Sequence, residues 1–123
     1  MSTSYDIFLK YDQPVETLVP QLERIVGTSL QHSSETKREY YSAVVLGVGI
    51  DLTSPVDFHD DVITYSSYDF QIMVEYKGLF DSGYQPDLLP ILTIVLANQI
   101  FRAIKCECIA LADLTQILAE FKT

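Results

Sequence analysis

A single α+β domain spanning residues 1–123 is predicted by three observations. An apolar three- and four-residue period runs from Val15 to Val26, a two-residue period runs from Phe70 to Tyr76, and a helix-length apolar run begins at Leu88. The arrangement these predict is an antiparallel sheet with two helices packed on one face, in β-α-β-β-α-β (split β-α-β, ferredoxin-like) order or a variant of it. At 123 residues and 48% apolar, the chain can bury about two-thirds of its extended surface, enough for one core.

The elements follow in order. Tyr5-Asp-Ile-Phe-Leu-Lys-Tyr11 is short, aromatic and branched, and predicts a first strand with Ile7 and Leu9 on one face and Phe8 on the other. Asp12, Gln13 and Pro14 punctuate the chain. Val15, Leu18, Val19, Leu22, Ile25 and Val26 then mark a helix ending at Gly27. Pro20 interrupts it; with Thr17 as N-cap, Pro20 would fall in the first turn, where its missing amide costs no bond.

Thr28 to Tyr40 is polar, with no apolar residue from Gln31 to Glu39, and reads as a loop or the exposed approach to a long strand. Tyr41 to Leu52 reads as that strand, with Gly47 and Gly49 on one face, where they give clearance to a helix or introduce a bend. These glycines are followed by no Gly-Lys-Ser/Thr ending and so form no phosphate loop. Val62 to Tyr68 reads as a short edge segment. Phe70, Ile72, Val74 and Tyr76 alternate with Gln71, Met73 and Glu75 in a strand whose first set faces the core.

Asp87 is placed to cap a second helix, Leu88 to Lys105, with Pro90 in its first turn. Apolar on most of its circumference until Asn98, Gln99 and Arg102, it is too short to span a bilayer and fits a core helix or one whose outer face meets another molecule. Glu107 to Asp113 reads as a strand, and Leu114 to Phe121 as a short helix or a further strand.

Charge sets the chain apart. Its formal net charge is −9, and 11 acidic residues between Asp51 and Glu120 face only Lys77, Arg102 and Lys105. Eight of those acids fall between Asp51 and Asp87, where Lys77 is the sole cation. Local charge of one sign repels nucleic acid and attracts a basic partner. Asp57, Asp60, Asp61, Tyr65, Tyr68 and Asp69 combine carboxylates with amphipathic rings and are the predicted partner-binding residues.

No catalytic set is expected, and no cofactor. Asp57, His59 and Asp61 would share a face of an extended segment, but no further cluster supplies the ligands a metal requires. Cys106 and Cys108, two apart, would lie about 7 Å apart on one strand face, too far for an ordinary disulfide, and are expected as reduced thiols in or near the core. None of Ser33, Ser34, Ser66 and Ser67 sits on a strand-to-helix nucleophile elbow. The first residues carry neither a basic nor an apolar export signal, which predicts a cytoplasmic protein.

Taken together, Tyr5-Asp-Ile-Phe-Leu-Lys-Tyr-Asp12, Leu46-Gly-Val-Gly-Ile-Asp-Leu52, the Asp60-Asp61 pair before Tyr68-Asp-Phe-Gln-Ile72, and Ala119-Glu-Phe121 resemble the small immunity proteins of bacterial polymorphic-toxin and contact-dependent growth-inhibition systems. The resemblance implies an acidic antitoxin, encoded beside a secreted toxin, that binds and neutralises the toxin's C-terminal domain in the cytoplasm without catalysis. A basic nuclease is the expected toxin. The alternative is a non-catalytic homo-oligomeric structural or regulatory module, a homodimer through the Leu88–Arg102 helix.

Overall fold

A computed structural model describes residues 4–35, 38–53, 68–77 and 88–123. Its elements are β1 (Tyr5–Leu9), α1 (Val15–Val26), β2 (Gln31–Glu35), β3 (Arg38–Val45), β4 (Val48–Thr53), β5 (Phe70–Tyr76), α2 (Leu89–Ile104), β6 (Cys108–Ala112) and β7 (Gln116–Phe121). The strands form one sheet in the order β2-β3-β4-β5-β1-β6-β7, every neighbouring pair antiparallel.

Alternation along the inner strands separates two faces. Ile7 and Leu9 of β1, Ile50 and Leu52 of β4, Ile72 and Val74 of β5, and Cys108 and Ala110 of β6 join Leu18 and Leu22 of α1 and Leu89, Ala97 and Ile100 of α2 in the main core. On the other face Phe8, Ile109 and Leu111 form a smaller buried cluster with Tyr68 and Leu114 against it. The two-residue period thus placed Phe70, Ile72, Val74 and Tyr76 correctly, and burial of these apolar sets is the main stabilising contribution.

Several expectations change. Of the two readings of the polar segment before Tyr41, the strand approach is realised at Arg38–Tyr40, the start of β3, while Gln31–Glu35 form the unexpected strand β2, paired Gln31 to Ser42 through Glu35 to Arg38. An edge strand needs only its ladder of backbone bonds, so a wholly polar sequence serves. The expected long strand Tyr41–Leu52 is a hairpin, broken between Val45 and Val48 by Leu46 (φ 50°) and Gly47 (φ 78°). Two central residues with positive φ define the tight type I′ turn, whose twist suits paired strands. Of the two roles expected for the glycines, Gly47 takes the bend, as a turn residue. Gly49 is covered by the aliphatic chain of Lys77, not by a helix. Of the two readings of Leu114–Phe121, the strand is realised, with a bulge where Ala110 and Leu111 of β6 face Ala119 and Ile117.

The helix ends also differ in detail. α1 begins at Val15 with Pro14 at the N-cap, so Pro20 lies inside the helix and leaves the Glu16 carbonyl without its usual amide donor. The Thr17 hydroxyl instead donates to the Pro14 carbonyl at 2.7 Å. At the other end Gly27 adopts φ 80° and its amide bonds the Glu23 carbonyl at 2.9 Å, the predicted glycine stop. The N-cap position of α2 is Leu88, without a side-chain cap bond; Asp87, expected there, lies outside the described residues, as does most of the Val62–Tyr68 segment.

Candidate protein-binding surface

Four of the six predicted partner-binding residues, Asp57, Asp60, Asp61 and Tyr65, lie outside the described residues; Tyr68 and Asp69 are described. Both work inside the chain. The Tyr68 ring packs on Phe8 with centroids 5.9 Å apart, and Lys10 Nζ stands 5.5 Å from its centre. Burial, with a smaller contribution from Glu120, raises its phenol above the usual pKa. Asp69 Oδ2 accepts the Tyr11 amide at 2.8 Å, while its own amide donates to the Leu9 carbonyl at 2.7 Å. The residue therefore fastens the start of β5 to the end of β1.

The other described acids between residues 51 and 87 are also partnered. Lys77 Nζ lies 2.6 Å from Glu75 Oε1 and 3.6 Å from Asp51 Oδ2. The hydrogen bond to Glu75 is the first cause of the raised Lys77 pKa. Such partly exposed pairs add little stability, but Lys77 offsets one of the two negative charges there.

A cavity of about 430 Å³ is lined by Val15, Ser34, Arg38, Glu39, Tyr41, Thr53 and Phe70. Two of its polar groups are engaged within the fold: the Thr53 hydroxyl donates to the Glu39 carbonyl at 2.9 Å, and the Arg38 guanidinium lies 5.5 Å from the Tyr40 ring centre. His32, stacked on Tyr41 at 4.8 Å, is 3.6 Å from Glu39.

The cysteines are free and buried. Burial pushes the Cys106 thiol up to about 11 and the Cys108 thiol up to about 12, so neither supplies a thiolate near neutral pH. Cys108 Sγ donates to the Ala97 carbonyl at 3.2 Å, joining β6 to α2. Among the described residues no three His, Cys, Asp or Glu side chains gather as metal ligands would, and the Asp57, His59, Asp61 set falls outside those residues.

The feature that stands out is an apolar surface that charge and motif reasoning did not locate. α2 carries two stripes. Leu89, Thr93, Ala97 and Ile100 turn inward and are buried, the Thr93 hydroxyl donating to the Leu89 carbonyl at 2.7 Å. Leu88, Ile91, Leu92 and Val95 form a second stripe at i, i+3, i+4 and i+7, with relative exposures of 48%, 59%, 38% and 50%. Beside it lies a groove of about 390 Å³, walled by the N-cap Leu88 and Leu92, Val95 and Leu96 of α2, Ile25 and Val26 of α1, and Val45, Leu46 and Val48 of the hairpin. Ile50, Val74 and Tyr76 of the sheet complete it, and among the described residues Gln99 is its sole polar side chain apart from the Tyr76 hydroxyl. Leu46, at the hairpin tip, is 96% exposed.

The sequence did signal the helix part of this surface, as an unusually apolar circumference from Leu88 to Arg102. Leu46 was missed because it reads as one more apolar residue of a strand; its only signal is the following glycine. Among the described residues no helix is long and apolar enough to cross a membrane. Comparison with known proteins finds no family model, no curated protein and no solved structure that matches this chain.

Proposed function

We propose that the chain is a non-catalytic binding protein of the immunity type, which neutralises a basic toxin domain, a nuclease in the first instance, by stoichiometric contact in the cytoplasm. The observation that carries the reading is the acidic imbalance, a net charge of −9 with Asp57, Asp60 and Asp61 grouped near Tyr65. Since Asp51, Asp69 and Glu75 already have partners within the chain, the weight of partner recognition falls on Asp57, Asp60, Asp61 and Tyr65, with Tyr68 and Asp69 holding the sheet from which that segment emerges. Fixed negative charge there speeds encounter with a cationic surface. In the same reading the inner strands, in the order β4-β5-β1-β6, form with α1 and α2 the split β-α-β arrangement, to which the β2–β3 segment and β7 are additions.

The deciding experiment is capture of the chain's partner from its native host, followed by a neutralisation assay with the captured toxin domain. Recovery of a basic toxin domain whose activity the chain abolishes at equimolar ratio is expected. Recovery of no such domain would remove the reading.

A second reading, a homo-oligomeric module, is favoured by a different observation: the outer stripe of α2 and the groove beside it carry no charged residue among the described residues. The two readings are compatible.

A further inference from the structure

We infer that two copies of this chain associate about a two-fold axis at α2, with the Leu46 hairpin tip of each copy seated in the apolar groove of the other. The inference rests on the homo-oligomeric reading and adds to it the contact that defines the dimer.

Three observations point to a second copy as the occupant. The first is shape. A two-fold interface must be self-complementary, so one patch has to hold both a projection and a matching hollow. Leu46 is a 96% exposed apolar projection, and the groove of about 390 Å³ beside it is an apolar hollow. The outer stripe Leu88, Ile91, Leu92 and Val95 has the anchor spacing by which one helix lies against another apolar surface, and antiparallel packing of α2 on its copy satisfies both stripes at once.

The second is area. Leu46, Leu88, Ile91, Leu92 and Val95 leave apolar surface on the order of 500 Å² uncovered, near the upper end for a single patch on a monomer. A standard interface buries about 800 Å² per partner, of which about 65% is apolar in homodimers. The patch supplies that share.

The third is charge. Copies with net charge −9 repel one another unless they meet where charge is absent. From Leu89 to Gln99 the helix has no charged residue, and Arg102 is the first. With the axis at Val95, Arg102 of each copy stands about 10 Å along the helix on opposite sides, so the two cations are about 20 Å apart and screened at a Debye length of about 8 Å. A basic toxin domain, by contrast, would find no counter-charge in this groove.

The backbone at Leu46 separates the role of the side chain from that of the turn. Leucine at φ 50° occupies a position where asparagine is favoured, so Leu46→Asn removes the projection while improving the turn. Sedimentation equilibrium of the full chain and of Leu46→Asn and Val95→Glu, each checked by thermal melting, tests the inference. Expected are a wild-type dimer at about 50 μM, at least about a tenfold weaker association for Leu46→Asn with no fall in melting temperature, and a monomer for Val95→Glu. If Val95→Glu is monomeric but Leu46→Asn dimerises as the wild type does, the hairpin contact is overturned while the homo-oligomeric reading stands. A wild type that stays monomeric at about 200 μM overturns both, and assigns the groove to a heterologous apolar segment instead.

Discussion

Gln71 Nε2 donates a 2.9 Å hydrogen bond to Asp6 Oδ1 across the β1–β5 boundary, on the sheet face away from the helices, and both residues are buried. Gln71 Oε1 is also buried and has no hydrogen-bond partner among the described residues. A buried carboxylate in a low-dielectric site is costly to keep charged, and an amide oxygen without a partner among the described residues adds to that cost. Burial raises the Asp6 pKa above the usual 3.8, against the lowering effect of the Gln71 bond, with the charges of Asp113 and Glu75 raising it further.

The sign of the resulting pH dependence follows from that direction. Below 3.8 Asp6 is protonated in folded and unfolded chains alike and contributes nothing. As pH rises from there to the elevated folded value, the unfolded chain ionises first, so stability is lost; above it the loss is constant. Asp6→Asn should therefore stabilise the protein at pH 7.5 by about 1 kcal/mol, with the gain shrinking toward pH 4. Urea melts of both proteins at the two pH values measure this, and a gain that does not change with pH would show that Asp6 is not the titrating group.

Leu46→Asn should raise the stability of the isolated chain by about 1 kcal/mol, because a left-handed backbone is strained for leucine and well tolerated by asparagine. The readout is the urea midpoint at low protein concentration, where any association is absent. A lowered midpoint would mean that the leucine side chain packs within its own subunit.

Asp69→Ala should destabilise by about 1 kcal/mol through loss of the bond from the Tyr11 amide. Partner binding, measured by calorimetry under conditions where the variant is fully folded, should change little. A large binding loss with no stability loss would return Asp69 to the recognition surface.

Asp60→Lys combined with Asp61→Lys should slow association with a basic toxin domain and weaken it by about 2–5 kcal/mol if the reversed charges oppose buried cations. Raising salt from about 50 to about 300 mM should slow the unaltered protein in the same direction, by screening. Stopped-flow association rates give both comparisons, and rates indifferent to both would place the contact away from these acids.

Cys106 and Cys108 should resist alkylation in the folded chain at pH 8, their thiols being held near 11 and 12 and both side chains being buried. Labelling with iodoacetamide should keep pace with global unfolding in urea. Fast modification of native protein would contradict the packing of Cys108 against Ala97.

Much of the fold was legible because its inner parts obey one period each. Helix α1 had to place Leu18 and Leu22 on one side, and β5 had to place Ile72 and Val74 on one side, so spacing alone located them. The candidate surface was legible only in part. The apolar circumference of α2 was visible as composition, whereas Tyr68 and Asp69 were chosen for chemical type, and type does not reveal that one ring packs on Phe8 and the other side chain fastens Tyr11.

The sequence by itself determined the net charge, the strands β1, β5 and β6 and the existence of both helices, since each depends on residues close along the chain. Only the tertiary structure decided which of the two apolar stripes of α2 turns inward. Leu89, Thr93, Ala97 and Ile100 are buried because the sheet lies beneath them, while Leu88, Ile91, Leu92 and Val95, as apolar in the main, are left outside. It also decided that a polar run becomes β2 and that the apolar run from Tyr41 folds back at Leu46. Ladder bonds at an edge come from the backbone, and a turn there comes from φ, so neither leaves a mark in hydrophobicity.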